Sequence, residues 1–332
     1  MTDRTLGVGL VTTAGESVAY ASEFSDVTEL IRACADGTSS QGESRTGTVQ
    51  VAVEASRRPF PTDGWRMLSR DAWERDGTVV IRDVCTSGFD VSVRVQAGVP
   101  RFVFRRRPPA RTRALAIADP SRALLLQRSV LLTYPAMWWA ATRGRAPLHA
   151  ACLSTGDATP LLVGPSGSGK TTVVARNAAE GGSSVSDNLV VGDGITAWGV
   201  VEPIRTDQGT GRAMPHGRRE GHLPHRVSSL IPDRVVVLRR GDQPVVHSCP
   251  PEDAARWLVA STYGAGELRR FWGFAALLAM GIPEGPAHPP VARVADLFAQ
   301  SLTCLDVTAS VPGVIDLALE AREGDEVPWT SR

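Results

Sequence analysis

The chain is short of cysteine, carries almost no net charge and has no apolar run long enough to cross a membrane. Its five cysteines, Cys34, Cys85, Cys152, Cys249 and Cys304, are scattered without a Cys-x-x-Cys pair. An odd number at wide spacing argues against a disulfide framework or a zinc ribbon and fits a reducing cytoplasm. A net charge of +1 gives no overall field drawing the chain to nucleic acid or acidic lipid. The longest greasy stretch, Leu124 to Ala141, is interrupted by Gln127, Arg128 and Pro135. A membrane span needs about 20 predominantly apolar residues, so this stretch reads as a buried helix. The opening residues, Met1 to Gly15, have too short an apolar run and too weak a basic start for a secretory signal, so a cytoplasmic location is expected. No internal repeat is visible. What the chain does have is 42% apolar and 21% charged residues over 332 positions. That is the make-up of one large or two moderate globular domains.

The first third predicts a β-rich α+β region. Runs of Val, Ile, Thr and Phe at 5–12, 18–21, 48–53, 78–84, 89–95 and 101–105 read as strands, separated by Gly, Asp, Ser and Pro. Residues 26–35 read as a helix and 37–46 as a flexible polar loop. Arg105, Arg106 and Arg107 read as a solvated basic face. Asp119 is a predicted N-cap with Pro120 at the first helical position, opening a helix that runs to Gly144. Trp138 and Trp139 near its end are expected in the core or at a domain interface. The expected division is 1–118 for the N-terminal domain, 119–146 for a connecting helix and 147–332 for an α/β domain.

That last assignment rests on a glycine-rich loop. Residues 146–155 read as a strand carrying His149, and 160–163 as a second strand running into Gly164-Pro165-Ser166-Gly167-Ser168-Gly169-Lys170-Thr171. This fits GxxxxGK[ST] in full, with Thr172 to Ala179 predicted as the following helix. Glycines at 164, 167 and 169 let the backbone turn tightly and aim N–H groups at phosphate oxygens, and the helix N-terminus adds to the field. Lys170 is expected on the β- and γ-phosphates, the Thr171 hydroxyl on Mg²⁺, and the Pro165, Ser166, Ser168 and Thr172 positions along the same cradle. A nucleoside triphosphate is therefore the expected ligand.

The surroundings are less ordinary. The best candidate for a second acidic strand end, Arg234 to Leu238, runs into Arg239 and Arg240 instead, and no transporter signature is present. The nearest carboxylate at a strand end is Asp187 in Ser184-Val-Ser-Asp-Asn188, 17 residues past Lys170, while His149 lies 21 residues before it. Phosphoryl transfer needs positioning, a cation clamp and a carboxylate to orient the attacking hydroxyl. His149 and Asp187 are the candidates this spacing supplies.

Leu148-His149-Ala150-Ala151, the GPSGSGKTT loop and Ser186-Asp187-Asn188-Leu189-Val190 together resemble the catalytic region of HPr serine kinase/phosphorylase and its relatives, including kinases of lasso-peptide precursors. The resemblance is good over 147–192 and looser to about residue 310. It implies a P-loop kinase fold similar to that of phosphoenolpyruvate carboxykinase. It also implies ATP and Mg²⁺ as cofactors and a hydroxyl acceptor on a peptide, a small protein or a small molecule. It puts His149 beside the γ-phosphate and gives Asp187 a general-base or Mg²⁺-linked role. Asn188 departs from the family, which often has a second acid there; a one-way kinase is the reading that follows. The competing readings are a P-loop NTPase without an acceptor and a non-catalytic nucleotide sensor or scaffold. Homo-oligomerisation is left open.

Further candidates are thinner. Glu202, after an apolar pair, is a candidate Mg²⁺ ligand, and Arg205 a candidate for phosphate or substrate. His216, His222 and His225 sit in a Pro/Gly/Arg-rich segment, 209–226, expected to be a mobile loop over the site rather than a zinc centre. Residues 252–258 and 267–280 read as amphipathic helices covering the sheet, with Trp257, Phe271 and Trp272 in the core.

Overall fold

The computed structural model describes residues 7–35, 39–40, 47–207, 209–214, 217–241 and 245–309. The N-terminal part builds β1 (Gly7–Thr13), β2 (Glu16–Ser22), α1 (Ser25–Cys34), β3 (Ser39–Ser40), β4 (Val49–Glu54), β5 (Arg66–Ser69), β6 (Ala72–Arg75), β7 (Thr78–Ile81), β8 (Phe89–Gln96) and β9 (Val99–Arg106). These form one mixed sheet in the order β3-β1-β2-β4-β9-β8-β7-β6-β5. Alternate residues on the central strands, Val91 and Val93 on β8 and Phe102 and Phe104 on β9, are fully buried. Successive side chains leave a strand on opposite faces, so this period places one face of the sheet on the core.

A helical connection follows: α2 (Ala110–Ala118), α3 (Pro120–Arg128), a π-helical turn (Ser129–Thr133), α4 (Tyr134–Ala140) and a 3₁₀ turn (Ala141–Arg143). The Asp119 carboxylate accepts from the Arg122 N–H at 3.0 Å, with Pro120 at the first helical position. A single helix was the expectation; the structure breaks it. Pro135 has no N–H to give Leu131 and its ring crowds that carbonyl, and the turn widens just before it. Trp138 is fully buried and meets Phe102 edge-on at 5.8 Å. Its neighbour Trp139 is also buried.

The C-terminal part contains β10 (Ala146–Leu148), β11 (Ala150–Ser154), β12 (Pro160–Val163), α5 (Lys170–Ala179), β13 (Ser183–Ser186), β14 (Val190–Gly192), β15 (Ala197–Gly199), β16 (Ile204–Thr206), β17 (Arg219–Gly221), β18 (Ser229–Leu230), β19 (Arg234–Arg240), β20 (Val245–Ser248), α6 (Pro251–Gly264), α7 (Arg269–Gly281), α8 (Val291–Ser301) and β21 (Thr303–Ala309). A six-stranded mixed sheet runs β13-β11-β12-β19-β21-β20, and a four-stranded sheet runs β10-β14-β15-β18. Strands β12, β19 and β21 are parallel neighbours. Both faces of the central sheet are covered, which explains the unbroken apolar runs at 160–163 and 235–238. Leu161, Val163, Val235 and Val237 face a core shared with α6 and α8. Leu162, Val236 and Leu238 face the other, shared with Val173 and Val174 of α5. Each such side chain contributes about 1.5–3 kcal/mol by leaving water, and together they clamp the strand that feeds the glycine loop.

The chain is thus a mixed α/β protein, with further departures from expectation. Residues 146–155 are two strands in two different sheets, and His149 is the residue between them. Helix α7, expected over the C-terminal sheet, packs on the N-terminal one, with Phe274 stacked on Phe102 at 6.3 Å. The 209–226 segment is more built than its composition suggested: β17 pairs with β16, and Met214, Glu220 and Leu223 are buried. Arg105, Arg106 and Arg107 are not a free face, since they pair with Glu54, Asp26 and Asp90 respectively. The hairpin β5–β6 and helix α2 were not foreseen. Most of the expected loop at 37–46, and His216, lie outside the described residues.

Candidate functional site

Strand β12 delivers the chain to Gly164, where only glycine fits: a Cβ there would stand 2.6 Å from the backbone oxygen of Leu238 on β19. The loop then turns through a Ser168 N–H to Pro165 carbonyl bond of 3.1 Å. Gly169, at φ 109°, occupies left-handed space and starts α5. The first N–H groups of α5 therefore lack helical acceptors and face the cleft over the loop.

Lys170 is almost fully buried, and its Nζ donates to the Gly164 carbonyl at 2.7 Å and the Pro165 carbonyl at 3.3 Å. Burial lowers its pKa to about 8, against the opposing pull of Asp187 and Glu267. It is also the only lysine in a chain with 35 arginines. Where every other strong base is a planar guanidinium, this position keeps a compact ammonium on a thin stem, the shape that enters between phosphate groups.

Thr171 donates its hydroxyl to Asp187 Oδ2 at 2.8 Å. Asp187 sits at the end of β13, next to the P-loop's own neighbour β11, and the following corner is held by Ser186 Oγ accepting from the backbone N–H groups of Asn188 and Leu189 at 3.4 and 3.3 Å. His149 is anchored by its backbone N–H to Thr262 Oγ1 at 3.0 Å. Its Nε2 lies 2.9 Å from Asn188 Oδ1; a carbonyl oxygen only accepts, so Nε2 carries the proton. Burial first, and then the Lys170 charge, lower the imidazole pKa to about 4. His149 is therefore a neutral donor at physiological pH rather than a cation.

One cleft gathers Lys170, Thr171, Asp187 and Asn188; His149 does not line it and reaches it only through its bond to Asn188. The cleft is lined by Ser166, Gly167, Gly169, Lys170, Thr171, Thr172, Asp187, Asn188, Arg205, Arg218, Arg240 and Glu267. Four cations face two carboxylates, so the cleft favours an anion. Of the residues singled out in sequence, Gly164 and Pro165 serve by holding Lys170, and Ser168 keeps a buried hydroxyl without a partner. Glu202 does not line the cleft; its carboxylate lies 3.4 Å from Arg205, and burial raises its pKa. Among the described residues no group of three or more His, Cys, Asp or Glu side chains is placed to hold a metal. The hydroxyl–carboxylate pair of Thr171 and Asp187 is nonetheless a set of hard oxygen donors, the kind magnesium takes when phosphates and water complete its shell.

Arg240 and Glu267 were missed in the sequence, whereas Arg218 belongs to the 209–226 segment whose Arg and His residues were expected over the site facing anionic groups. Arg240 had a usable signal: it ends β19, parallel to β12, and the carboxyl ends of parallel strands share one edge. Glu267 had none, because it arrives just ahead of α7 from the N-terminal layer. Burial pushes its carboxyl up, but its own backbone N–H, the Arg205 charge and a hydrogen bond from Asn188 outweigh that and hold it below the usual range. Arg205 spans the two acids, 3.4 Å from Glu202 and 3.8 Å from Glu267. No protein-family model and no curated protein matches the chain.

Proposed function

We propose that this chain is an ATP- and magnesium-dependent phosphotransferase with a hydroxyl group as acceptor. The observation that carries the reading is the convergence of the only lysine and the Thr171–Asp187 pair on one cationic cleft at the end of β12, with His149 joined to it through Asn188. The resemblance of the same residues to HPr kinase relatives points the same way.

In this reading the loop N–H groups and Lys170 hold the phosphates, with Arg205, Arg218 and Arg240 adding positive charge to the same cleft. Thr171 and Asp187 would hold magnesium, whose role when bound is to neutralise charge on the phosphate oxygens. Asp187 also orients the acceptor hydroxyl and takes its proton. His149 donates a hydrogen bond through Nε2 to Asn188 and adds no charge, and Glu267 helps hold Arg205. A peptide or small-protein Ser/Thr and a small-molecule alcohol both satisfy this chemistry.

The test is incubation with γ-labelled ATP and Mg²⁺ in the presence of hydroxyl-bearing acceptors. Label on an acceptor, lost in Lys170→Ala, is the expected result. Free phosphate alone would make the chain an NTPase, and bound but unreacted ATP would make it a nucleotide sensor.

A further inference from the structure

We infer that the groove beside α2 is a docking surface for an acidic, amphipathic segment of a partner protein. Helix α2 is anomalous in its packing. Of its nine residues only Thr112 is buried, tied by its hydroxyl to Asp83 Oδ2 at 2.5 Å. Leu115 and Ile117 are 52% and 84% exposed. A helix this short is below the length of about 12–15 residues that is even marginally stable alone, and it draws little from the core. Two large apolar side chains on such a helix call for a cover.

The groove it borders has a volume of about 690 Å³ and continues over α3 to the start of α7. Its charge is one-sided. Arg111, Arg113, Arg122 and Arg270 all line it; Arg111, Arg113 and Arg270 form no ion pair with a carboxylate among the described residues, and Arg122 acts only on the capping Asp119. The two acids of the lining are already engaged: Asp26 pairs with Arg106, and Asp119 caps α3. Spacing orders these groups along α2. Arg111, Leu115 and Ala118 fall at i, i+4 and i+7, and Arg113 and Ile117 at i and i+4, so neighbouring stripes each run from cation to apolar side chain. A complementary segment carries carboxylates opposite Arg111 and Arg113 and aliphatic side chains opposite Leu115 and Ile117. The concave wall supplied by Arg122 and Arg270 favours a peptide seated in a groove over a flat lipid surface. This inference does not depend on the phosphoryl-transfer reading.

The probe is a short fluorescent peptide with leucines on one helical face flanked by glutamates, set beside a version with lysine for glutamate. Fluorescence anisotropy should show binding of the glutamate peptide only, weakened by added salt. The double variant Arg111→Glu/Arg113→Glu, and separately Ile117→Asp, should each weaken it by about tenfold or more. All these side chains are exposed, so circular dichroism of the variants should match the parent; Arg122→Glu gives an independent check if one variant misfolds. Absence of binding, equal affinity in the charge-reversed variant, or equal binding of the lysine peptide would overturn the proposal. So would stronger binding of anionic lipid vesicles than of the peptide, or self-association of the chain that Ile117→Asp abolishes.

Discussion

Thr171 and Asp187 share a hydroxyl–carboxylate hydrogen bond of 2.8 Å that ties the first turn of α5 to the end of β13. Asp187→Asn preserves the shape of this pair and removes the base. If Asp187 takes the acceptor proton, single-turnover transfer from Mg·ATP should fall by about 10²–10⁴-fold, with a much smaller change in nucleotide affinity. Near-normal transfer would hand the role to Glu267, the other carboxylate of the cleft. A loss of binding as large as the loss of rate would leave Asp187 a metal-site residue only.

Because Lys170 is the single lysine, its ε-ammonium gives one signal in a lysine-labelled NMR sample. That signal should titrate near pH 8 in the free protein and move upward when Mg·ATP brings negative charge beside it. Lys170→Ala should weaken Mg·ATP binding by about tenfold or more, the worth of a hydrogen bond to a charged group. Calorimetry showing unchanged affinity would remove Lys170 from the site. Between pH 8 and 10.5 the unfolded chain binds the proton that the folded chain has lost, so Lys170 makes stability rise with pH over that window.

His149 gives the acid counterpart. With a folded pKa of about 4 against an ordinary 6.5, the unfolded chain holds more protons between those values. Stability should therefore fall as pH drops from 6.5 to 4, by an amount on the order of 1–3 kcal/mol. Urea denaturation at neutral and mildly acid pH measures it. His149→Gln should flatten this part of the profile; an unchanged slope would mean that other groups carry it.

Arg128 and Glu220 form a buried bidentate ion pair between α3 and β17. Arg128→Met strands a carboxylate in the interior and should cost about 3–5 kcal/mol. Replacing both partners with apolar side chains of similar size should cost much less. Denaturant midpoints of the two variants decide this, and equal losses would contradict it.

The residues that act through their immediate neighbours were legible. The strand, glycine turn and helix around Lys170 are contiguous, and the Asp119 cap needs only Arg122. Legibility failed where a residue takes its meaning from a distant partner. Glu220 looked like part of a polar loop because its burial depends on Arg128, 92 residues away. Asn188 read as a lost charge, and only the fold reveals it as the acceptor for His149. Glu267 is invisible locally, since the tertiary path of α7 brings it to the cleft. The π-helical turn was also missed, although Pro135 marked it, because the apolar period around it suits a continuous helix.

The course of α7 bears on how this chain can be cut and recombined. The helix is rooted in the N-terminal layer through Phe271, Phe274 and Leu278, yet Glu267, two residues ahead of its first turn, lines the cleft. A fragment starting at the glycine-loop half would expose those three side chains to water and leave Glu267 without a foundation. The two halves are therefore not interchangeable modules: a chimera would have to take α7 and the N-terminal layer from the same parent to keep Glu267 in the cleft.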